Sequence, residues 1–508
     1  MRQEFERIEP YKVGIRAENI KVLLKKIKEI ETELHGIIIM RHGKICFEHW
    51  WEPYGKNMVH GQQSLTKTYT GTAVGIAYTQ GLLSLDEHLV DIFKEKIPAD
   101  PSDYIKKLTI RNVLTMTNGM VKMPMPPSTD WVSDWLREPI VYQPGSVFMY
   151  NMLGSSILGE IICRKTNMGL HDFLKKYLFN EIGIDASRVK WITMADGIEM
   201  GSGGIFTTTE DNLRLIKLYL DNGICGGKRI LAQDFVEEAT RKWADTSREI
   251  EHNPYAQSNL EGYGYQMWMC PIPHAYRADG GLGQFAIAFP DQDMIIALNE
   301  TATAKGTSEV LQAVWEFIHE VEKNDRDGIW DKEMEQNDSF QEELDLLTIP
   351  LPRIGRNKEA EQRIQGKAIR LVKGRCSFSV GYGEMVSGKH PSAGIEMICF
   401  YFNENDCVIE IQENGRKFKI KAGMDGQREV NEYNIDDFPS KRVDMSAYWE
   451  KNQTLVVTAR WTETCYEKSL VFHFGDREII IQEKLLKGDI KTTSLWPDNS
   501  DKIGQWCI

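Results

Sequence analysis

Apolar side chains recur at Ile20, Leu23, Leu24, Ile27 and Ile30, the spacing of an amphipathic helix, which predicts helix between residues 17 and 33. The period then changes. Gly36-Ile37-Ile38-Ile39-Met40 and Lys44-Ile45-Cys46-Phe47-Glu48 flank the pair His42-Gly43, and two apolar runs around a two-residue turn read as a β-hairpin. From about 60 to 200 the pattern is mostly helical with short loops. Within it Thr109 caps a helix over Ile110 to Leu114, and Thr117-Asn118-Gly119-Met120 closes it with a turn. Strand signals return over Gly262 to Met269, Gln284 to Phe289 and Asp293 to Leu298. Val310, Leu311, Val314, Phe317, Ile318 and Val321 then mark one face of a closing helix. This order predicts an α+β fold, an antiparallel sheet flanked by terminal helices with an all-helical subdomain at about 60–200.

Residues 323–366 are charged and irregular, and are predicted to be a linker with one helical piece around Phe340 to Leu347. They separate a first domain, 1–322, from a second, 367–508. In the second, short alternating segments recur: Ser377 to Val380, Met397 to Phe402, Cys407 to Gln412, Lys417 to Ile420, Thr454 to Trp461, Ser469 to Phe474 and Glu478 to Gln482. Such spacing predicts a small antiparallel β-barrel or sandwich.

A length of 508 residues is too great for one small core and agrees with two or three domains. The net charge of -13 argues against nucleic acid or an anionic membrane surface as partner. The polar start Met1-Arg2-Gln3-Glu4-Phe5-Glu6-Arg7 lacks the apolar core of a secretory signal, and no run reaches the roughly 18 apolar residues that span a bilayer. Nine scattered cysteines without a C-x-x-C spacing read as a reduced, cytoplasmic chain with no structural metal. His35, His42, His49 and His60 do not fall into metal-ligand spacing, and packing is their expected role. Gly201-Ser202-Gly203-Gly204 lacks the Lys-Ser/Thr ending of a phosphate loop, so no nucleotide or other cofactor is expected.

The chemistry concentrates at Ser64-Leu65-Thr66-Lys67, which heads a small-residue helical stretch from Thr68 to Gln80. One helical turn carries i and i+3 to the same face, so the Ser64 hydroxyl and the Lys67 amine come within hydrogen-bond reach. A hydroxyl is a poor nucleophile until a base takes its proton, and a sheltered lysine with a lowered pKa is such a base. A second tetrad, Ser187-Arg188-Val189-Lys190, lies in a charged stretch with no apolar helix behind it and is read as surface. Tyr263, Tyr265 and Trp268, with Asp130-Trp131, are cleft candidates whose commoner role is core packing.

Six segments in order carry a resemblance. They are Gln63-Ser64-Leu65-Thr66-Lys67-Thr68-Tyr69, the pair Gly81 to Glu87 and Leu108 to Gly119, Pro144-Gly145-Ser146-Val147-Phe148-Met149-Tyr150-Asn151, Gly203 to Asp211, and Tyr276-Arg277-Ala278-Asp279-Gly280-Gly281-Leu282-Gly283-Gln284. Over roughly residues 12–322 the chain resembles the β-lactamase-related serine hydrolases, which include class C β-lactamases, penicillin-binding DD-peptidases, family VIII esterases and nylon-oligomer hydrolases. The resemblance implies the β-lactamase/DD-peptidase fold, Ser64 as nucleophile, Lys67 as proton acceptor or relay, and Tyr150 as a partner in acid–base work. It also implies an oxyanion hole from the Ser64 N–H and an N–H near Gly280 or Gly281. Asn151, Arg277, Asp279 and Gln284 are implied substrate-side positions. The β-domain resembles the lipocalin-like appendage of some relatives.

Two departures shape the expected activity. Relatives that cleave β-lactams usually carry Tyr-x-Asn, whereas here Met152 is third and Asn151 adjacent. The Lys-Thr-Gly cation is missing, and Arg277 or Asp279 occupies its neighbourhood. The expectation is a serine hydrolase of a small-molecule ester, amide or peptide-like substrate, closer to the nylon-oligomer hydrolase and esterase branch than to true β-lactamases. The alternative is a catalytically weak penicillin-binding-like sensor whose C-terminal β-domain holds a ligand. Assembly into a homo-oligomer stays open.

Overall fold

The run Ile37-Ile38-Ile39-Met40 has no polar face because both sides of its strand are covered. It forms the middle of β1 (Thr32–Arg41), buried from Glu33 onward. The computed structural model describes residues 4–124, 128–252, 256–327, 340–379, 393–433, 438–451, 453–486 and 501–507. The chain separates into two units, Met1–Thr348 and Ile349–Ile508.

In the first unit, α1 (Ala17–Lys28) buries Ile20, Leu23, Leu24 and Ile27 and stops before Ile30. β1 turns through His42 and Gly43, at φ of 51° and 72°, into β2 (Lys44–Trp50). Positive φ at both central residues twists a two-residue hairpin with its strands. The long insert that follows carries β3 (His60–Gly61), β4 (Lys190–Trp191) and β5 (Ile205–Thr207), paired in the order β3-β5-β4. Its helices are α2 (Thr66–Thr79), α3 (Leu89–Ile92), α4 (Ile110–Leu114), α5 (Trp131–Arg137), α6 (Met152–Thr166), α7 (Leu170–Leu174) and α8 (Asn180–Ile182). Thr109 caps α4 through the amide of Asn112, as the sequence predicts.

After α9 (Thr209–Leu220) come the ribbon β6 (Ile224–Cys225) and β7 (Lys228–Arg229), then α10 (Gln233–Ala239) and α11 (Glu249–His252). Next follow β8 (Trp268–Met269), β9 (Tyr276–Gly280), β10 (Gln284–Phe289) and β11 (Met294–Ala302). The six long-range strands form one antiparallel sheet ordered β2-β1-β11-β10-β9-β8. Ile37 lies opposite Leu298, and Phe285 opposite both Leu298 and Asp279. α12 (Ala304–Asp327) packs along α1 and buries Val310, Val314, Phe317 and Ile318, while α9 lies against β10 and β11. The fold is therefore α+β, as the period of the apolar residues implies.

Two expectations in this unit are corrected. The stretch Gly262 to Met269 is a strand only at Trp268–Met269. Gly262 and Gln266 have φ of 129° and 58°, and the chain bends so that Gln266 Oε1 accepts from Ser155 Oγ at 2.5 Å and Gln266 O from Thr68 Oγ1 at 2.9 Å. The predicted linker is not irregular at its start: α12 continues to Asp327, and α13 (Gln341–Leu346) ties to the first unit by an ion pair from Lys25 to Glu343 at 3.1 Å. α14 (Lys358–Ile364) opens the second unit.

The second unit contains β12 (Ala368–Lys373), β13 (Ile395–Phe402), β14 (Asp406–Glu413), β15 (Arg416–Gly423), β16 (Glu429–Glu432), β17 (Arg442–Lys451), β18 (Thr454–Trp461), β19 (Tyr466–Phe474), β20 (Glu478–Leu486) and β21 (Lys502–Trp506). They run β15-β14-β13-β12-β21-β20-β19-β18-β17-β16, and a pairing of Gly423 with Ser446 joins β15 to β17. Closure makes this a nine-strand barrel rather than a sandwich. Alternation fills it: Cys407, Ile409 and Ile411 of β14 and Leu455, Val457 and Ala459 of β18 are buried. Ser377 to Ser379, expected in a strand, form a bend, and Val380 lies outside the described residues.

Candidate active site

From Val59 to Ala77 every residue is buried except Ser64. The exception has a local cause. Gln63 sits at φ 49°, left-handed for a non-glycine residue, and begins a single 3-10 turn, Gln63–Leu65, that feeds α2. One turn on, Lys67 is 1% exposed, with Nζ 2.8 Å from Ser64 Oγ and 2.6 Å from the carbonyl oxygen of Ser202. As an ammonium it donates to both; as a free amine it donates to Ser202 O and accepts from the serine hydroxyl. Burial pulls Lys67 down to about 7, against the opposing pull of the Asp279 carboxylate.

Tyr150 comes from the segment before α6, and its ring centroid lies 5.0 Å from Lys67 Nζ. Its ring stacks on Trp268 at 6.0 Å and rests against a buried cluster of Met116, Phe148, Ala244, Tyr263 and Trp268. The structure thus brings Ser64, Lys67 and Tyr150 together from two distant segments. Tyr263 and Trp268 belong to the packing behind Tyr150. Tyr265 bonds Arg111, Trp131 donates to Asp196 at 2.5 Å, and Asp130 pairs with Lys96 at 2.7 Å.

Gly280 ends β9 against the serine turn. A Cβ there would sit 2.2 Å from Gln62 O and 3.2 Å from Leu65 N, whereas one on Gly281 would meet nothing within 4 Å. The strand end and the turn touch at Gly280, and open space begins at Gly281. Asp279 pairs with the fully buried Arg277 through Nε at 2.8 Å and keeps 19% exposure.

Two expected substrate-side residues are engaged elsewhere. Gln284 is buried; its Nε2 donates to Glu300 O at 2.8 Å and its Oε1 accepts from Asn299 at 2.9 Å. Asn151 caps α6: its Oδ1 accepts from Gly154 N at 2.9 Å and from Trp135 Nε1 at 3.1 Å. Directly after Tyr150, this cap holds the tyrosine segment at the helix start. Asn151→Ala removes the cap and strands a buried indole N–H, with an expected loss of about 2–4 kcal/mol in urea unfolding.

The second tetrad stays on the surface. Ser187 is exposed and its hydroxyl donates to Asp185 at 2.6 Å. His35 Nδ1 and His60 Nε2 meet at 3.0 Å in the core, and His35 stacks on Tyr54. The partner that sequence reasoning missed is Ser202. Its glycine-rich run, which lacks a phosphate-loop ending, serves packing: Gly201 lies so close to α6 that a Cβ would sit 2.7 Å from Ser155 O. Small residues there let a backbone carbonyl reach Lys67.

An antiparallel sheet with a helical insert, and a serine–lysine pair where the insert meets β9, is the architecture of the β-lactamase-fold hydrolases. The chain belongs to the Beta-lactamase family, whose profile matches residues 29–320. It is 23% identical over 273 residues to the 6-aminohexanoate-dimer hydrolase of Paenarthrobacter ureafaciens, covering 47% of this chain and 65% of that protein's length. Among solved structures it is similar to the octameric penicillin-binding protein homologue from Pyrococcus abyssi, at 13% identity and a TM-score of 0.48, covering 96% of this chain and 99% of that one. It is also similar to a penicillin-binding protein homologue from Caulobacter crescentus, at 14% identity and a TM-score of 0.47, covering 58% and 97%. Among the described residues no helix is long and apolar enough to cross a membrane.

Proposed function

We propose that this chain hydrolyses an ester or amide through an acyl-enzyme on Ser64, as an esterase or amidase more than a β-lactamase. The observation that carries this reading is the 2.8 Å contact between Lys67 Nζ and Ser64 Oγ, made by an amine that burial holds near 7. Above that pH the amine is free, its lone pair takes the hydroxyl proton, and Oγ attacks the carbonyl carbon. The charge that develops on the carbonyl oxygen is met by N–H groups of Ser64 and of the strand end at Gly280 or Gly281. Tyr150 passes the proton to the leaving group, and water resolves the acyl-enzyme by the reverse transfers.

The relative named as a 6-aminohexanoate-dimer hydrolase supports hydrolysis as the reaction class. The expectation of weak β-lactam turnover is supported by Arg277, whose guanidinium is buried and bonded within the protein.

Incubation with a fluorophosphonate, followed by peptide mass spectrometry, tests the nucleophile. The adduct is expected on the peptide containing Ser64. An adduct on any other residue, or a p-nitrophenyl ester that gives one burst of product and no further release, overturns the proposal.

A further inference from the structure

We propose that Asp279 makes this site select substrates whose group beside strand β9 is cationic, and reject those with a carboxylate there. The proposal rests on the hydrolase reading and names the substrate class for that same site.

Of the two ionisable side chains at the end of β9, only one is available to a ligand. Arg277 is completely buried. Its Nε donates to Asp279 Oδ2 at 2.8 Å, Nη1 to Met269 O at 3.2 Å, and Nη2 to Asn259 Oδ1 at 2.5 Å. With each nitrogen engaged, no guanidinium edge remains to pair with a substrate carboxylate. Asp279 keeps 19% of its side chain exposed, with Arg277 fixing its orientation. From a distance the pair is neutral, but at contact range a ligand meets the carboxylate.

The position of that carboxylate gives it reach over the reacting group. Asp279 immediately precedes Gly280, whose backbone lies against the Gln62–Leu65 turn that presents Ser64. Its charge acts on the Lys67 amine, and on the Tyr263 phenol, which burial and then Tyr150 and Asp279 push upward. Lys67 is uncharged above about 7 and does not cancel the carboxylate at working pH. A fixed negative charge therefore stands one residue from the glycine beside the nucleophile. A cation there gains attraction to the carboxylate. An anion meets like charge at reduced dielectric.

The test uses the full chain and p-nitrophenyl esters with four- and six-carbon acyl chains ending in methyl, trimethylammonium or carboxylate, at about pH 8 and with spontaneous hydrolysis subtracted. At one length or both, the expected order in kcat/KM is cationic above neutral above anionic, by about tenfold at each step at low salt, narrowing as salt is raised. In Asp279→Asn the ratio of cationic to neutral substrate is expected to fall toward one. Because a ratio is read, any change in Lys67 common to all three substrates cancels. Equal rates for the three charges at both lengths, a preference for the carboxylate, or an unchanged ratio in Asp279→Asn would overturn the inference. Where Asp279→Asn fails to fold around the unpaired Arg277, the salt dependence of the unaltered protein decides. The two readings fail separately. Methyl-ended esters that persist, or are cleaved equally by Ser64→Ala, sink the hydrolase reading; their turnover without charge preference sinks only the role of Asp279.

Discussion

Ser64→Ala and Lys67→Met are each expected to lower kcat/KM by about 10³-fold or more, and the double variant to fall no further than either alone. The reason is that the two groups act as one device: the amine has no proton to take without the hydroxyl, and the hydroxyl no base without the amine. Methionine fills the buried space of Lys67, at 1% exposure, without a polar group to desolvate, so its unfolding midpoint should match or exceed that of the unaltered protein. That control separates lost chemistry from lost fold. The pH dependence carries the same claim. A lysine held near 7 is protonated below that value and cannot accept, so kcat/KM should rise through about pH 7 and fall about tenfold per unit on the acid side. An acid limb near the usual lysine range, or additive losses in the double variant, would contradict a Ser64–Lys67 pair working together.

Gly280→Ala should have the next largest effect. The added methyl would lie 2.2 Å from the carbonyl oxygen of Gln62, a backbone atom that cannot swing aside. Overpacking of this kind costs about 1–3 kcal/mol, and a shift of about 1 Å between strand and serine turn can cost about 10²-fold in rate. Gly281→Ala is the stability comparison, since its Cβ has free space, and its unfolding midpoint should stay unchanged. If Gly280→Ala keeps both stability and rate, the close contact between β9 and the serine turn does not position the reaction.

Legibility followed the range of the forces involved. The hairpin, α1, α12, β10 and β18 were readable because their apolar runs or periods lie within one element. The bend at Gly262 to Gln266 was not, because contacts from Thr68 and Ser155, far away in sequence, set it. In the barrel, β12, β16, β17 and β21 lie outside the predicted strands, β16 for a related reason. Glu429–Glu432 has one apolar side chain, the exposed Val430, whereas β17 does alternate, burying Val443, Met445, Ala447 and Trp449. β16 is recruited by pairing with β17 rather than by its own alternation.

The site divides the same way. A serine and a lysine one turn apart were visible at once, since helical geometry alone joins them. Asn151 and Gln284 looked like substrate contacts by position, and their bonds to Trp135 and Gly154 in one case and to Glu300 and Asn299 in the other show them holding the scaffold. The carbonyl of Ser202, 135 positions from Lys67, left no signal beyond a run of small residues.

By itself the amino-acid sequence determined the strongly periodic elements, the α+β order and the juxtaposition of Ser64 with Lys67, because these depend on neighbours a few residues apart. Only the tertiary structure decided that the lysine is sealed from water, that Tyr150 faces it, and that Asp279 rather than Arg277 remains exposed. Burial and long-range approach are properties of packing. They set the charge state of an amine and the reach of a carboxylate, and no local pattern encodes them.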